Sequence, residues 1–298
     1  MEQDLLLDEV IGYVKKLCGN DYKVIVETIE IENGLGYTGI IIKNNDEDLA
    51  LAINWDVFSE RYGDTLSAEE LAESIYLQGT GPPDPMLDRI SDYKDYEQAK
   101  GYITFRLVNY EWNRNLLEKI PHEKICDLAI IFYILNASVA GEMMITVSNT
   151  MLKDWGISME ELKEQAFRNC ITLLPPCFIS LDELIFGVGK RDMEVFPDRL
   201  PEQNGVPFYC LSNKNRTNGA AAILYPGILE KVADLLKSDL VILPSSRHEV
   251  LICPLGIKDL KKLRQVVQSV NIEAVNGEDV LSDNVYVFHR ETAKLEAA

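Results

Sequence analysis

Apolar residues in the first third of the chain follow two different periods. Positions 5–17 repeat every three or four residues, which predicts a helix with one apolar face formed by Leu6, Val10, Val14 and Leu17. Three β-rich runs follow at 23–31, 38–43 and 49–53, and Asn-Gly and Asn-Asn-Asp sequences mark the turns between them. Ser67 and Glu70 have the spacing of a capping box, so we expect another helix to begin there.

The remaining two thirds alternate between the same patterns. The middle third predicts a strand at 102–108, a helix at 111–120, strands at 125–135 and 143–147, and a helix from Ser158 to about Cys170. The last third predicts strands at 208–212 and 220–224, a helix from Pro226, strands at 240–243 and 249–253, a helix at 257–270 and a strand at 285–289.

Two stretches rich in Gly, Pro and charged residues, 79–95 and 187–206, interrupt these patterns and read as linkers. They divide the chain into units at 1–95, 99–186 and 207–298, of which the last two could form one domain. We therefore predict an α+β fold, with two or three small units of mixed or antiparallel sheet and helices packed on them. The last two units share the order strand, helix, two strands, helix, which is compatible with a β-α-β-β-α pseudo-repeat.

The charge of the chain narrows the classes of partner. Its 48 acidic and 29 basic residues give a net charge of −19, which repels phosphate backbones and anionic lipids, so we expect neither nucleic acid nor membrane as a partner. The longest apolar run, 128–135, is far shorter than the roughly 20 residues that a membrane helix needs. Acidic residues near the start and six scattered cysteines without a C-x-x-C pair favour a cytoplasmic location.

Two short motifs favour structural roles. The glycines of 34–39 match G-x-G-x-x-G, but a β-rich run follows where a dinucleotide-binding fold needs a helix, so we expect a hairpin. His122 and Cys126 have the helical spacing of a metal pair, yet the residues from Ile125 onward predict a strand. We predict a capping or surface role for His122, and neither a metal site nor a cofactor.

The most polar segment between two apolar runs contains the main candidate residues, Ser245, Ser246, Arg247, His248 and Glu249. The favoured interpretation is a hairpin turn whose serines bond their own backbone. A second is a loop that presents Arg247 and His248 to an anionic or peptide ligand. A third is a catalytic site, but a serine and a histidine so close in sequence rarely meet in a triad, and the chain contains no G-x-S-x-G motif.

A second candidate group, Arg106, Asn109 and Tyr110, lies at the end of a predicted apolar strand, where binding sites often form. The same residues could serve structure instead, with Arg106 paired to a carboxylate and Asn109 capping the next helix. We favour the structural role.

Several stretches resemble known families. They are 105–111 with 127–133, the sequence WGISMEEL at 155–162, the segment 219–254, and LSDNVY at 281–286. From near Tyr102 onward the chain is similar to uncharacterised YtpQ-like bacterial proteins. Over nearly its whole length it resembles a related family of unknown function from Gram-positive gut bacteria. The resemblance implies a cytoplasmic bacterial protein and brings no catalytic residues.

The leading hypothesis is a non-enzymatic binding or regulatory protein that contacts a protein or small-molecule ligand through the segment 245–249, joined by Arg106, Asn109 and Tyr110. One alternative is a hydrolase or transferase that uses His248 with a neighbouring Ser or Glu. Another is an acidic partner of a basic protein, whose negative surface resembles that of nucleic acid.

Overall fold

The computed structural model describes residues 2–44, 52–81, 92–138, 141–186, 196–201, 207–257 and 259–298. Contacts between residues divide the chain into two compact units, 1–87 and 88–298. Most of both stretches predicted as linkers lies outside the described residues. None of the described helices is long and apolar enough to cross a membrane.

The N-terminal unit packs three helices with a three-stranded antiparallel sheet. Its elements are α1 (Glu2–Cys18), β1 (Tyr22–Glu30), β2 (Gly36–Asn44), β3 (Ala52–Asn54), α2 (Trp55–Tyr62) and α3 (Ala68–Thr80). The strands lie in the order β1-β2-β3, and β1 and β2 pair from Tyr22 opposite Asn44 to Glu30 opposite Gly36. The core combines residues of all three helices with one face of the sheet, including Val14, Phe58 and Ile75.

Local signals in this unit act as predicted. Asn33 and Gly34 adopt φ values of 60° and 69°, so they turn the chain between β1 and β2, and the glycine motif lies in a hairpin. The Ser67 side chain accepts a hydrogen bond from the Glu70 N–H, and the Glu70 carboxylate accepts one from the Ser67 N–H. The predicted capping box is therefore confirmed.

The C-terminal unit begins with a four-stranded antiparallel sheet. Its elements are α4 (Tyr96–Ala99), β4 (Ile103–Asn109), α5 (Arg114–Leu117), β5 (His122–Ile125), β6 (Leu128–Ser138), β7 (Gly141–Thr146), α6 (Asn149–Trp155) and α7 (Met159–Leu173). The long strand β6 pairs with β4 along one edge, and with β5 and β7 end to end along the other. Ser158 and Glu161 form a capping box at the start of α7, where we predicted that a helix begins.

A second, six-stranded antiparallel sheet completes this unit. The elements are β8 (Pro176–Ser180), α8 (Leu181–Phe186), β9 (Tyr209–Asn213), α9 (Ile228–Leu236), β10 (Leu240–Pro244), β11 (Val250–Pro254), α10 (Leu260–Glu273), β12 (Tyr286–His289) and β13 (Lys294–Ala297). The strand order is β13-β12-β10-β11-β9-β8. The helix α10 packs on one face of this sheet through Leu263 and Val267, against Val241 and Cys253.

The other face of the six-stranded sheet shares one apolar core with the four-stranded sheet. This core includes Phe105 and Phe132 of the first sheet together with Leu211, Ile252 and Tyr286 of the second. Residues 99–186 and 207–298 therefore bury their apolar side chains in common. The architecture confirms the α+β prediction, and the sheets are antiparallel throughout the described strands.

Two predicted elements differ in the structure. Only Arg114–Leu117 is α-helical within the predicted helix 111–120. Residues Gly219–Leu224 form a buried 3₁₀ helix where we predicted a strand. Both edges of the neighbouring strand β9 are already occupied, by β8 and β11, so the segment 219–224 has no edge of β9 with which to pair.

The first half of the C-terminal unit contains one strand, β5, that the predicted pseudo-repeat lacks, and the pairing of the remaining strands differs between the two halves. In the first half β4 pairs with β6, the first strand of the following hairpin. In the second half β9 pairs with β11, which is the second strand of its hairpin. The spatial order of the three strands is thus 1-2-3 in one half and 1-3-2 in the other.

Candidate functional site

The candidate segment 245–249 is the loop that joins β10 to β11. These strands form an antiparallel hairpin in which Pro244 lies opposite Val250, so all five candidate residues fall between the two strands. Ser246 is buried, whereas Ser245, Arg247, His248 and Glu249 are half-buried. The structure thus places the segment where the turn interpretation expected it.

Hydrogen bonds within the loop fix its backbone. The Ser246 N–H donates to the Glu249 carbonyl at 3.2 Å, and the His248 N–H donates to Ser246 Oγ at 3.0 Å. Ser246 Oγ lies 3.5 Å from Glu249 Oε1. Ser246 therefore bonds the backbone two residues further on, as serine does in tight turns.

Neighbouring elements hold the same loop from two sides. The Ala220 N–H donates to the Arg247 carbonyl at 3.2 Å, and Ser212 Oγ donates to the His248 carbonyl at 2.7 Å. From the other side, the Arg247 N–H donates to the Asp279 carbonyl at 2.8 Å. Because most of its backbone groups are bonded, the loop presents its side chains in a fixed arrangement.

The side chains of Arg247 and His248 converge on one carboxylate oxygen. Arg247 Nε lies 2.7 Å and His248 Nε2 lies 3.0 Å from Asp279 Oδ1. His248 Nδ1 lies 3.3 Å from the Asn218 N–H, which can only donate. Because Nδ1 accepts from Asn218, the contacts favour the tautomer with the ring proton on Nε2, which faces Asp279 Oδ1.

This tautomer bears directly on the catalytic interpretation. A histidine acting as general base needs a nitrogen lone pair directed at the nucleophile. In His248, Nδ1 accepts from the Asn218 backbone, and Nε2 carries the proton donated to Asp279. Ser246 Oγ contacts the His248 backbone and Glu249. The arrangement contains an Asp–His pair without a serine bonded to the ring, so it lacks the nucleophile–base contact of a triad.

Asn218 and Gly219 bring the 3₁₀ helix against the loop. Asn218 adopts φ 53°, and its side chain is almost fully buried, with Nδ2 3.1 Å from Met144 Sδ. None of the described residues bonds to its Oδ1. A Cβ atom on Gly219 would lie 2.2 Å from Ser212 Oγ and 2.6 Å from the His248 carbonyl oxygen, so only glycine permits this approach.

The second candidate group occupies the end of β4. Asn109 Oδ1 accepts from the N–H groups of Glu111 and Trp112 at 3.0 and 3.1 Å, so this side chain caps the turn that follows the strand. Arg106 is buried with its guanidinium 6.0 Å from the ring centre of Tyr133. The Tyr110 ring lies 4.1 Å from Lys124 Nζ.

The segment 279–286 connects the two candidate groups. Its first residue, Asp279, holds Arg247 and His248, while Asn109 Nδ2 donates to the carbonyl of Leu281 at 3.2 Å. The candidate loop and Asn109 of the second group therefore contact opposite ends of the stretch 279–281.

The same segment also surrounds Asp127, which our sequence analysis did not select. Asp127 accepts hydrogen bonds from Ser282 Oγ at 2.6 Å, Asn284 Nδ2 at 2.7 Å and Tyr286 OH at 2.7 Å. Asp279 and Asn218 were also missed, because both lie far from the candidate loop in sequence. The sequence feature that could have indicated this segment was LSDNVY at 281–286, in which Ser, Asp and Asn directly precede an apolar run.

The other two histidines lie on strands outside the candidate loop, His122 on β5 and His289 on β12. His122 begins β5, and its Nδ1 lies 3.1 Å from the Ile120 carbonyl oxygen, so it shares no helix with Cys126. His289 lies at the end of β12, 3.0 Å from both Asp239 and Glu296. Across the described parts of the chain, no group of three or more His, Cys, Asp and Glu side chains could hold a metal ion.

In a comparison with protein families, the model of a family of unknown function, DUF5688, matches residues 5–290. No curated protein matches the chain, and no solved structure matches it. The match confirms the resemblance to an uncharacterised family, whereas the similarity to YtpQ-like proteins and to gut-bacterial proteins stays a prediction.

Proposed function

We propose that this chain, which belongs to the DUF5688 family of unknown function, is a non-catalytic binding protein whose loop 245–249 contacts an anionic group of its ligand. The observation that carries the proposal is the convergence of Arg247 and His248 on Asp279 Oδ1. A fixed pair of nitrogen donors already directed at one carboxylate oxygen is an arrangement that recognises carboxylates.

Partial exposure supports contact with a ligand. The side chains of Arg247 and His248 keep 21% and 29% of their surface exposed, and that of Asp279 keeps 17%. The donors thus lie at the surface of the C-terminal unit while their backbone is fixed below. A loop that is already ordered loses little conformational entropy on binding, which favours recognition.

The protonation of His248 supports binding over catalysis. Its Nε2–H is committed as a donor and its Nδ1 as an acceptor. Such a ring holds Asp279 beside Arg247 at the surface, but does not withdraw a proton from a substrate hydroxyl without first breaking a bond. Catalysis by His248 is accordingly our second choice.

The first experiment is native mass spectrometry of the freshly purified protein beside its denatured mass. Surplus mass on the native species identifies the ligand. Its affinity is then compared between wild type and the variant Arg247→Ala with His248→Ala, where we expect a loss of about tenfold or more, since each lost hydrogen bond to a charged group contributes about 1.5–3 kcal/mol.

The chain provides a matched control. His289 and Arg290 are likewise adjacent in sequence, and they bond to Asp239 and Asp234. The variant His289→Ala with Arg290→Ala removes the same two side-chain types near the opposite end of β10 and should keep wild-type affinity. Equal affinity of wild type and the Arg247/His248 variant would refute the assignment. Turnover of an ester, phosphate or peptide substrate that depends on His248 would replace it with the catalytic alternative.

A further inference from the structure

We propose that the chain forms a symmetric dimer in which β1 pairs antiparallel with β1 of a second copy, with Lys23 opposite Glu27 of the second copy. Within the part of the chain that the structure describes, β1 pairs on one side only, with β2. It is nine residues long, contains no proline and includes the apolar run Val24-Ile25-Val26. A long edge strand of this kind is a template for pairing with another strand.

Several side chains of β1 are exposed. Lys23, Val26, Glu27 and Thr28 are exposed, and Val26 keeps 41% of its surface although it is a large apolar residue. Natural proteins protect open edges with prolines, bulges, very short strands or charged side chains. The edge strand β1 has charged side chains, of which Lys23 and Glu27 pair with one another in the proposed register. The pairing of β1 with β2 runs without a bulge from Tyr22 to Glu30, so the edge is straight and its full length can pair.

The hairpin determines which backbone groups point outward. The Ile31 N–H donates to the Leu35 carbonyl at 2.9 Å, which continues the register of β1 with β2. In an antiparallel pair, hydrogen-bonded and non-hydrogen-bonded positions alternate. The odd-numbered residues of β1 therefore bond to β2, and Val24, Val26 and the other even-numbered residues direct their N–H and C=O groups at the open edge.

This alternation limits the registers that a symmetric pair can adopt, because even-numbered residues must meet even-numbered residues. Pairing Val24 with Val26 of the second copy places Lys23 opposite Glu27 twice, on either side of an Ile25–Ile25 contact. A shift of two such steps in one direction places Glu27 opposite Glu27. The intermediate register places both charged residues opposite isoleucines. Charge complementarity thus selects the first register.

Neighbouring residues of β2 extend the complementarity. Lys23 lies opposite Lys43 of β2, so a Glu27 from the second copy would face two lysines in one row. Ile25 lies opposite Ile41, so the dimer would form a row of four isoleucines across both copies. On the other face, Val24 already packs on the core of the unit and would lie beside Val26 of the second copy. The two sheets would join into one sheet of six strands.

Charge exchange tests the register. Sedimentation of the full chain in about 0.15 M salt, which screens the net charge, should give a concentration-dependent dimer. Lys23→Glu or Glu27→Lys alone should raise the dimer Kd about tenfold, since each creates two like-charge pairs. The double variant Lys23→Glu with Glu27→Lys should restore the wild-type Kd. A wild type that stays monomeric up to about 100 µM, or a double variant as weak as either single one, would overturn the proposal.

Cross-linking tests the same geometry independently. Under mild oxidation Ile25→Cys should form a disulfide-linked dimer, because a non-hydrogen-bonded pair brings Cα atoms within disulfide range. Ile29→Cys lies on the same face of the same strand, but the proposed register separates its two copies by about 27 Å, at about 3.4 Å per residue. It is the matched control. Equal cross-linking of both variants, or of neither, contradicts the proposed register.

Discussion

The phenol of Tyr286 donates a hydrogen bond of 2.7 Å to Oδ1 of Asp127, and this contact joins the two sheets of the C-terminal unit. Asp127 lies immediately before β6 of the four-stranded sheet, whereas Tyr286 begins β12 of the six-stranded sheet. Burial, with the nearby Asp127 carboxylate as the next cause, raises the pKa of Tyr286, so its hydroxyl remains a donor at every physiological pH. The contact thereby fixes the segment that carries Asp279.

Asp127→Asn should lower the free energy of unfolding by about 2–4 kcal/mol. The substitution keeps the shape of the side chain but replaces one acceptor oxygen with an NH₂ group that faces donors. Ser282 Oγ and Asn284 Nδ2 both donate to Oδ2, and Tyr286 OH donates to Oδ1. Urea unfolding measures the change, and Asp154→Asn, an exposed position on α6, is the control. A loss below about 0.5 kcal/mol would show that the network contributes little.

Gly219→Ala should destabilise the C-terminal unit by about 1–3 kcal/mol, because the added methyl group overlaps Ser212 Oγ and the backbone of His248. The same displacement should weaken ligand binding at Arg247 and His248. Thermal unfolding and the binding assay give the two readouts. At Gly101 nothing lies within 4 Å of an added Cβ, so Gly101→Ala should leave both unchanged. Full stability of Gly219→Ala would mean that the loop moves aside freely.

The stability of the edge of the six-stranded sheet that β12 and β13 form should depend on the charge of His289. Hydrogen bonds to Glu296, and next to Asp239, raise the pKa of His289 above its ordinary value, and the bond from His289 lowers the pKa of Glu296. A raised histidine pKa stabilises the folded state below the unfolded pKa of about 6.5, and this stabilisation is lost as pH rises through the folded value. The backbone N–H of Arg290, and next His289, lower the pKa of Asp239 as well, and the lowered pKa values of both carboxylates make the contribution disappear again in acid.

The difference in Tm between wild type and His289→Gln should therefore be larger at about pH 5.5 than at about pH 8. Thermal unfolding of both proteins in matched buffers measures it. A difference that does not change with pH would show that His289 contributes through packing alone.

The rate of thiol labelling should distinguish the half-buried cysteine from the buried ones. Burial raises the pKa of Cys210 to about 12 and that of Cys170 to about 11. At pH 8 only about one Cys210 side chain in ten thousand is then a thiolate, the form that reacts. Burial also raises the pKa of Cys126, but this side chain is half-buried whereas the other five are buried.

Iodoacetamide at pH 8 should consequently modify Cys126 first, and Cys170 and Cys210 only in denaturant. Peptide mass spectrometry over a time course follows each site. Labelling of Cys210 in the folded protein at the rate of Cys126 would contradict the buried position of β9.

Several elements were predictable because their signals are local. The helix starts at Ser67 and Ser158 could be predicted from the sequence, because the hydrogen bonds of a capping box join residues only three apart. The hairpin at Asn33 and Gly34 follows from backbone conformations that those residues adopt easily. The hairpin β10–β11 follows in the same way from two apolar runs that flank a polar segment.

Other elements depended on partners remote in sequence. The apolar run 220–224 has a composition compatible with a strand, and it became a 3₁₀ helix because both edges of β9 were occupied. The strand β8 escaped prediction because Pro175 precedes it and Pro176 is its first residue, although proline is tolerated at the start of a strand.

The sequence by itself determined the α+β class, most strands and helices, and the position of the candidate loop, because hydrophobic periodicity and turn chemistry act over a few residues. Only the tertiary structure decided which groups meet. Asp279 reaches Arg247 across 32 residues, and Asp127 reaches Tyr286 across 159. Such contacts depend on strand order, and strand order is set by the packing of a shared core, which no short stretch of sequence encodes.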